Sequence, residues 1–182
     1  MELILASNSP RRKELLAGAG FDFKVIPSNV IEPENNNMPI DKYVEYLAEL
    51  KAYDVYKKHQ GVVLGADTVV YINGVALGKP KDKADAISTL KMLSGKTHTV
   101  CTGYCIITSN KKITANEKTL VTFNTLSDEL INDYVNSGLC YDKAGSYGIQ
   151  DDYPLIEKIN GDYNNVVGLP INIIKGILKE LL

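Results

Sequence analysis

Residues 3–16 read LILASNSPRRKELL, and this stretch decides how the fold begins. It starts as an apolar run and turns polar at Ser7, which predicts a short buried strand followed by a loop. Ser9 stands where a helix N-cap belongs and Pro10 where the first helical residue belongs, because proline's missing N–H is no loss in the first turn. The stretch therefore predicts a strand, a loop and a helix that begins directly after the loop.

The rest of the chain continues to alternate between strand and helix patterns. Apolar residues at near-helical spacing and N-cap signals predict further helices over about 40–59, 82–93, 127–138 and 169–182. Apolar and β-branched runs predict strands near 21–26, at 62–64 with a break at 65–68 and resumption over 69–72, and in a long hairpin over 97–126. Asn73-Gly74 is a strong hairpin turn signal. The pattern predicts a single mixed α/β domain over residues 1–182.

Charge and composition exclude several classes of protein. The 182 residues carry a formal net charge of -2, so no sequence-wide attraction for nucleic acid or an anionic membrane is expected. The apolar run at the amino terminus is too short for a signal-peptide core or a bilayer span. Cys101, Cys105 and Cys140 form no CxxC pair, and reduced thiols are their simplest state. We expect a cytoplasmic protein with no membrane partner and no stable nucleic-acid binding.

The Ser7–Arg12 loop is a candidate anion site. It combines hydroxyls, the guanidiniums of Arg11 and Arg12, and the unpaired N–H groups at the start of a helix. Backbone donors and the positive end of the helix dipole favour an anion there, and a planar guanidinium can bind phosphate oxygens through two bonds. A capped surface helix with solvated arginines explains the same residues, so this pattern alone leaves both interpretations open.

Asp67 is the second candidate. It follows an apolar strand, so its carboxylate is expected to project from the sheet, where it needs a partner. A divalent cation such as Mg²⁺ and a catalytic water are two functional partners. In the structural alternative, the carboxylate only accepts a hydrogen bond from a backbone N–H of a turn. Lys51 and Lys79 are further cations, and Lys79 is held between Gly78 and Pro80.

Two other sequence patterns look like functional sites but do not predict one. Ser94-Gly95-Lys96-Thr97 resembles the end of a Walker A loop, but that motif needs glycine where this chain has Leu90. The two histidines, His59 and His98, have no metal-ligand spacing and no serine or cysteine partner nearby, so neither a zinc site nor a histidine-based triad is expected. His98 is interpreted as a strand residue.

Four segments carry a family resemblance: LASNSPRR at residues 5–12, GADTV at 65–69, LGKP at 77–80 and DKAGSYGIQ at 142–150. Together with the segments 94–103 and 164–170 they extend over nearly the whole chain, and in this order they resemble the Maf family of nucleoside triphosphate pyrophosphatases. The resemblance implies an elongated, twisted mixed sheet flanked by helices, with two lobes and a central cleft, similar to inosine triphosphate pyrophosphatases. It also implies hydrolysis between the α- and β-phosphates, assisted by a divalent metal cation, Mg²⁺ or Mn²⁺.

The resemblance assigns roles to individual residues. Asp67 matches the position of the family's proton acceptor, and it is a metal ligand in the alternative mechanism. Arg11, Thr68 and Gln150 match positions linked to substrate choice, and these residue types resemble the branch that acts on dTTP and UTP. Glu32 matches an acidic position and is a second candidate metal ligand, although its Asn-rich surroundings equally fit a solvated loop.

A further set of residues would neutralise the charge of the phosphates. The expected phosphate-binding residues are Ser7, Arg12, Lys51 and Lys79. The resemblance also favours a homodimer, which no pattern in the sequence marks independently.

This chain departs from the family pattern close to Gln150. The family commonly has glycine after that glutamine, whereas this chain has Asp151-Asp152, and Cys140-Tyr141 replaces a common Glu-Pro pair. We therefore expect the loop around the base pocket to differ in shape from that of the family. The alternatives are hydrolysis of modified pyrimidine nucleotides and a non-catalytic role in regulating cell division or septum formation.

Overall fold

A computed structural model describes all of residues 1–182. The strands are β1 Leu3–Leu5, β2 Lys24–Val25, β3 Val62–Ile72, β4 Val75–Leu77, β5 Thr97–Ile107, β6 Lys112–Phe123 and β7 Ile156–Asn160. The helices are α1 Pro10–Gly18, α2 Ile40–Tyr56, α3 Lys83–Leu93, α4 Asp128–Asn136, α5 Tyr163–Val167 and α6 Ile171–Leu181. None of these helices combines the length and the apolar character that crossing a membrane requires.

All seven strands belong to one mixed sheet. Its order is β2-β1-β3-β5-β6-β7, and β4 pairs with β3 off this path. β1 is parallel to both β2 and β3, whereas the pairs β3–β4 and β6–β7 are antiparallel. This confirms the predicted α/β fold with a mixed sheet flanked by helices.

The chain divides into two compact units, and each is built from several stretches of sequence. Unit 1 consists of residues 1–68, 102–117 and 168–182. Unit 2 consists of residues 69–101 and 118–167. Each unit has its own apolar core.

Unit 1 has a core on each face of its part of the sheet. Leu3 and Leu5 pack in one cluster together with the buried side chains of α6, while Ile4 packs in another against α2. This alternation follows from the two-residue period of a strand. A strand covered on both faces must be apolar throughout, which explains why residues 3–6 are an unbroken apolar run.

In unit 2, α3 and α4 pack around an apolar core that includes a cluster of aromatic rings. Leu90 and Tyr134 are fully buried in this core. The rings of His98, Phe123 and Tyr147 meet edge to face, with centroids 4.7–5.4 Å apart. His98 therefore is a buried strand residue, as its sequence context predicts.

The predicted break in β3 at 65–68 is wrong, because the strand runs without interruption from Val62 to Ile72. Gly65 is needed there for packing: a Cβ atom at this position would lie 2.7 Å from the backbone nitrogen of Ala52 in α2. Asp67 and Thr68 are consequently strand residues. The short strand β7 and the short helix α5 were not predicted from the sequence.

Candidate active site

The loop before α1 is held in place by its own hydroxyls. Ser9 is the N-cap, and its Oγ accepts a hydrogen bond from the backbone N–H of Arg12 at 3.4 Å. Ser7 is buried, and its Oγ accepts from the N–H of Ser9 at 3.2 Å. The polar loop predicted from the sequence is therefore a preformed turn that leads directly from β1 into the helix.

Arg12 connects this loop to two distant parts of unit 1. Its Nε donates to the carbonyl oxygen of Gly168 at 2.8 Å, one terminal nitrogen donates to Ser7 Oγ at 3.3 Å, and the other donates to Thr68 Oγ1 at 3.0 Å. Burial lowers the pKa of Arg12 from its ordinary value, and the charge of Asp67 opposes that shift. The guanidinium is therefore fixed in orientation, and Arg11 beside it is half-buried, as Arg12 is.

The hydroxyl of Thr68 takes part in the same network. It lies 2.9 Å from the hydroxyl of Thr102 in β5 and accepts the hydrogen bond from Arg12. Thr68 was assigned to substrate choice by resemblance, and the structure places it next to the arginine of the loop. The network thus joins the loop after β1, the middle of β3 and a hydroxyl of β5.

Lys51 brings two carboxylates together. Its Nζ lies 2.6 Å from Asp67 Oδ1 and 2.7 Å from Glu32 Oε1. The side chains of Lys51 and Asp67 are only 14% and 13% exposed, whereas Glu32 is 49% exposed. Glu32 is thus an exposed residue that is ion-paired with Lys51, and its role as a metal ligand stays a prediction.

Tyr43 is a residue that sequence reasoning missed. Its hydroxyl donates to the carbonyl oxygen of Pro33 at 2.8 Å, which ties the segment carrying Glu32 to α2. Burial raises the pKa of Tyr43, and the charges of Asp67 and Glu32 add to the shift. Only the position of Tyr43 on α2 was visible in the sequence, because its partner lies in a loop without a pattern.

The donor set around Lys51 is compatible with a divalent cation. No group of three or more His, Cys, Asp or Glu side chains forms a complete protein site. The carboxylates of Asp67 and Glu32 nevertheless converge on one positive charge, the ammonium of Lys51. One or two carboxylates plus substrate phosphates is the usual arrangement for Mg²⁺, so these residues fit such an ion.

Lys79 and Gln150 belong to unit 2, and both side chains are exposed. The backbone N–H of Gly145 donates to the carbonyl oxygen of Gly78 at 3.1 Å, which joins the LGKP and DKAGSYGIQ segments. Gly145 has a φ of 71° and sits against Val70, so a Cβ atom there would be strained and crowded. Within unit 2 the structure thus brings two of the sequence motifs together.

The sheet and helices define an α/β fold that is shared with Ham1 proteins. The Staphylococcus aureus Ham1 protein superposes with a TM-score of 0.59 at 12% identity, covering 99% of each chain. A HAM1 protein from Coxiella burnetii gives a TM-score of 0.54 at 14% identity, also covering 99% of each chain. At this level of identity the similarity concerns the fold alone.

Sequence comparison defines the family within that fold. The model of the Maf-like protein family matches residues 2–181, and the chain belongs to this family. A dTTP/UTP pyrophosphatase of Bacillus pumilus is 51% identical over 172 residues, covering 93% of this chain and 91% of the relative. A protein of the same name from Thermococcus gammatolerans is 51% identical over 173 residues, covering 94% and 92%.

Proposed function

We propose that this protein hydrolyses nucleoside triphosphates, with dTTP and UTP as the preferred substrates, to the monophosphate and pyrophosphate. Relatives at 51% identity carry the name dTTP/UTP pyrophosphatase. The structural observation that supports the proposal best is the convergence of Asp67 and Glu32 on Lys51 in unit 1, which also contains Arg12. This combination of fixed cations and converging carboxylates suits a charged phosphate substrate.

The phosphate groups would be bound by the loop before α1 and by the cations of the site. The first backbone N–H groups of a helix and its dipole attract an anion. Arg12 is already oriented by three hydrogen bonds, so it supplies positive charge without having to reorganise. Ser7 and Lys51 are the other proposed phosphate-binding residues of unit 1, and Lys79 in unit 2 stays a predicted phosphate contact.

Asp67 is the proposed proton acceptor. As the water oxygen forms its bond to phosphorus and the bond between the α- and β-phosphates breaks, the carboxylate of Asp67 takes the proton of the water. In the alternative mechanism Asp67, together with Glu32, would hold Mg²⁺ or Mn²⁺, which when bound supplies positive charge for the phosphate oxygens. Lys51 is paired with Asp67, so it keeps the carboxylate oriented before substrate binds.

Substrate choice is assigned to Arg11, Thr68 and Gln150 on the family resemblance. Gln150 carries both a donor and an acceptor, which suits the edge of a pyrimidine base. Thr68 is held by Arg12 and Thr102, and its contribution would therefore depend on that network. A homodimer remains a prediction.

The test is release of pyrophosphate from purified protein with Mg²⁺ or Mn²⁺, measured for dTTP, UTP and a panel of other normal and modified nucleotides. Asp67→Asn removes the proton acceptor and is expected to lower kcat by about 10²- to 10⁴-fold. Asp22→Asn is the matched control, because Asp22 is an exposed carboxylate of the same unit. Release of single phosphates by the wild-type protein, or equal activity of both variants, would contradict the proposal.

A further inference from the structure

A buried polar network lies beside the DKAGSYGIQ segment in unit 2. The hydroxyl of Tyr134 in α4 donates to Asp151 Oδ2 at 2.5 Å and accepts from the backbone N–H of Gly148 at 3.0 Å. Tyr134 is fully buried, and the side chain of Asp151 is only 9% exposed. One phenol oxygen thus holds both ends of the Gly148–Asp151 turn.

Lys143 compensates the charge of this network. Its side chain is 9% exposed, and its Nζ lies 3.7 Å from Asp151 Oδ2 and 3.1 Å from Asp142 Oδ1. The same ammonium donates to the carbonyl oxygen of Leu139. A buried carboxylate is costly unless it is paired and hydrogen-bonded, and Asp151 has both kinds of partner.

The turn is packed against this network without spare room. A Cβ atom on Gly148 would lie 2.6 Å from Asp151 Oδ2 and 2.6 Å from Lys143 Cε. The backbone N–H of Asp151 donates to the carbonyl oxygen of Gly148 at 3.2 Å, which closes the turn. Gln150 is the exposed residue inside this closed turn, so its backbone is fixed from both sides.

We propose that Tyr134 and Asp151 are positioning residues that set the direction of the Gln150 side chain and thereby contribute to recognition of the pyrimidine base. This inference rests on the proposed function, in which Gln150 contacts the base. Asp151 follows Gln150 directly in the chain, so the network holds the backbone next to that side chain. The side chain of Asp151 acts on the substrate only through Gln150.

The test is a double-mutant cycle on base recognition, measured as KM and kcat for UTP and as the ratio of kcat/KM for UTP over ATP. Tyr134→Phe removes the hydroxyl that holds the turn, and Asp151→Asn removes the charge that Lys143 faces. Each is expected to raise KM for UTP about tenfold and to lower the UTP preference similarly, with kcat little changed. Gln150→Ala is expected to do the same.

The decisive comparison is the combination of Tyr134→Phe with Gln150→Ala. If Tyr134 acts through Gln150, the double variant has the same KM as Gln150→Ala alone, because the effects of coupled residues do not add. Additive effects, or an unchanged KM in Tyr134→Phe, would overturn the inference. Tyr141→Phe and Asp152→Asn are the matched controls, since both residues are exposed neighbours.

The variants also separate a failure to fold, and a failure of the proposed function, from a failure of this inference. If Asp151→Asn does not fold, Tyr134→Phe decides, because phenylalanine fills the same buried space without the hydroxyl. If the wild-type protein releases no pyrophosphate from UTP or dTTP, the proposed function fails and the inference fails with it. If the wild type is active and Gln150→Ala keeps its UTP preference, the inference is overturned together with the assignment of Gln150 to substrate choice, while the proposed hydrolysis stands.

Discussion

At the scale of single residues, the ammonium of Lys51 occupies the point where two carboxylates meet. Its distances of 2.6 Å to Asp67 and 2.7 Å to Glu32 are those of charge-assisted hydrogen bonds. A divalent cation held by the same carboxylates would have to compete with this charge. Lys51 is therefore expected to weaken metal binding in the absence of nucleotide, although it is proposed to contact phosphate when the substrate is bound.

Replacing Lys51 by methionine tests this competition. Lys51→Met keeps the length of the side chain and removes the charge, so the nucleotide-free protein is expected to bind Mn²⁺ at least about tenfold more tightly, since a nearby unit charge contributes on the order of 1 kcal/mol or more. Titration calorimetry or the electron paramagnetic resonance of free Mn²⁺ measures this affinity.

The control for that experiment lies on the same stretch of chain. Lys58 pairs with Asp54 at 3.3 Å and is 59% exposed, so Lys58→Met removes an equal charge away from the site. Its Mn²⁺ affinity is expected to match that of the wild type. Equal or weaker Mn²⁺ binding by Lys51→Met would show that the two carboxylates do not hold the ion.

The sequence anticipated some of these residues well and others poorly. Ser9 and Pro10 were predicted correctly as cap and first helical residue, because capping depends on neighbours within one turn. Arg12 was predicted only as a phosphate contact, whereas the structure shows it bound to residues 56 and 156 positions away. Partners at such distances along the chain have no local signal.

At the scale of elements, α2 lies directly on β3. A Cβ atom on Gly65 would lie 2.7 Å from the Ala52 nitrogen and 2.9 Å from the Ala52 Cβ, and closer still to the carbonyl oxygen of Ala48. The sequence interpretation took this glycine as the end of a strand. Glycine inside a strand also marks a close approach of another backbone, and only the packing of α2 distinguishes the two.

Gly65→Ala is expected to be strongly destabilising, by roughly 2–4 kcal/mol, because the methyl group meets backbone atoms that cannot move independently of α2. Since α2 carries Lys51 and β3 carries Asp67, the same change is expected to reduce activity. Urea unfolding followed by circular dichroism measures the stability difference.

Gly176→Ala is the matched glycine substitution. Gly176 lies inside α6, and nothing comes within 4 Å of a Cβ atom built on it. Alanine is better than glycine in a helix interior, so this variant is expected to be more stable by about 0.5–1 kcal/mol. A Gly65→Ala protein as stable as the wild type would mean that α2 is free to move away from β3.

At the scale of the whole molecule, neither unit is a continuous stretch of sequence. Strand patterns predicted β5 and β6 as one long hairpin, and the structure divides both strands between the units. The sequence could indicate the mixed fold because periodicity is local. It could not show the division into two units, because the same strand pattern continues through both of them.

The core of unit 2 makes the stability of the protein depend on pH. His98 is 2% exposed, its Nε2 lies 2.7 Å from the Tyr147 hydroxyl, and burial lowers its pKa to about 4. In the unfolded chain a histidine has a pKa of about 6.5. Between about pH 4 and 6.5 the unfolded state therefore binds more protons than the folded state. The contribution of His98 is therefore complete above pH 6.5 and is lost as the pH falls towards 4.

The expected loss at pH 4 is on the order of 3 kcal/mol. Urea unfolding at intervals from pH 7.5 to 4.5 should show the wild type losing stability faster than His98→Gln, whose side chain does not titrate. The slopes of the two proteins are compared because carboxylates, which both proteins contain, also titrate near about pH 4.5. His59→Gln should follow the wild-type slope, since His59 is exposed. Parallel curves of unfolding free energy against pH for the wild type and His98→Gln would contradict this prediction. They would mean that His98 accepts a proton inside the folded core, so that the cluster of aromatic rings is not a closed apolar environment.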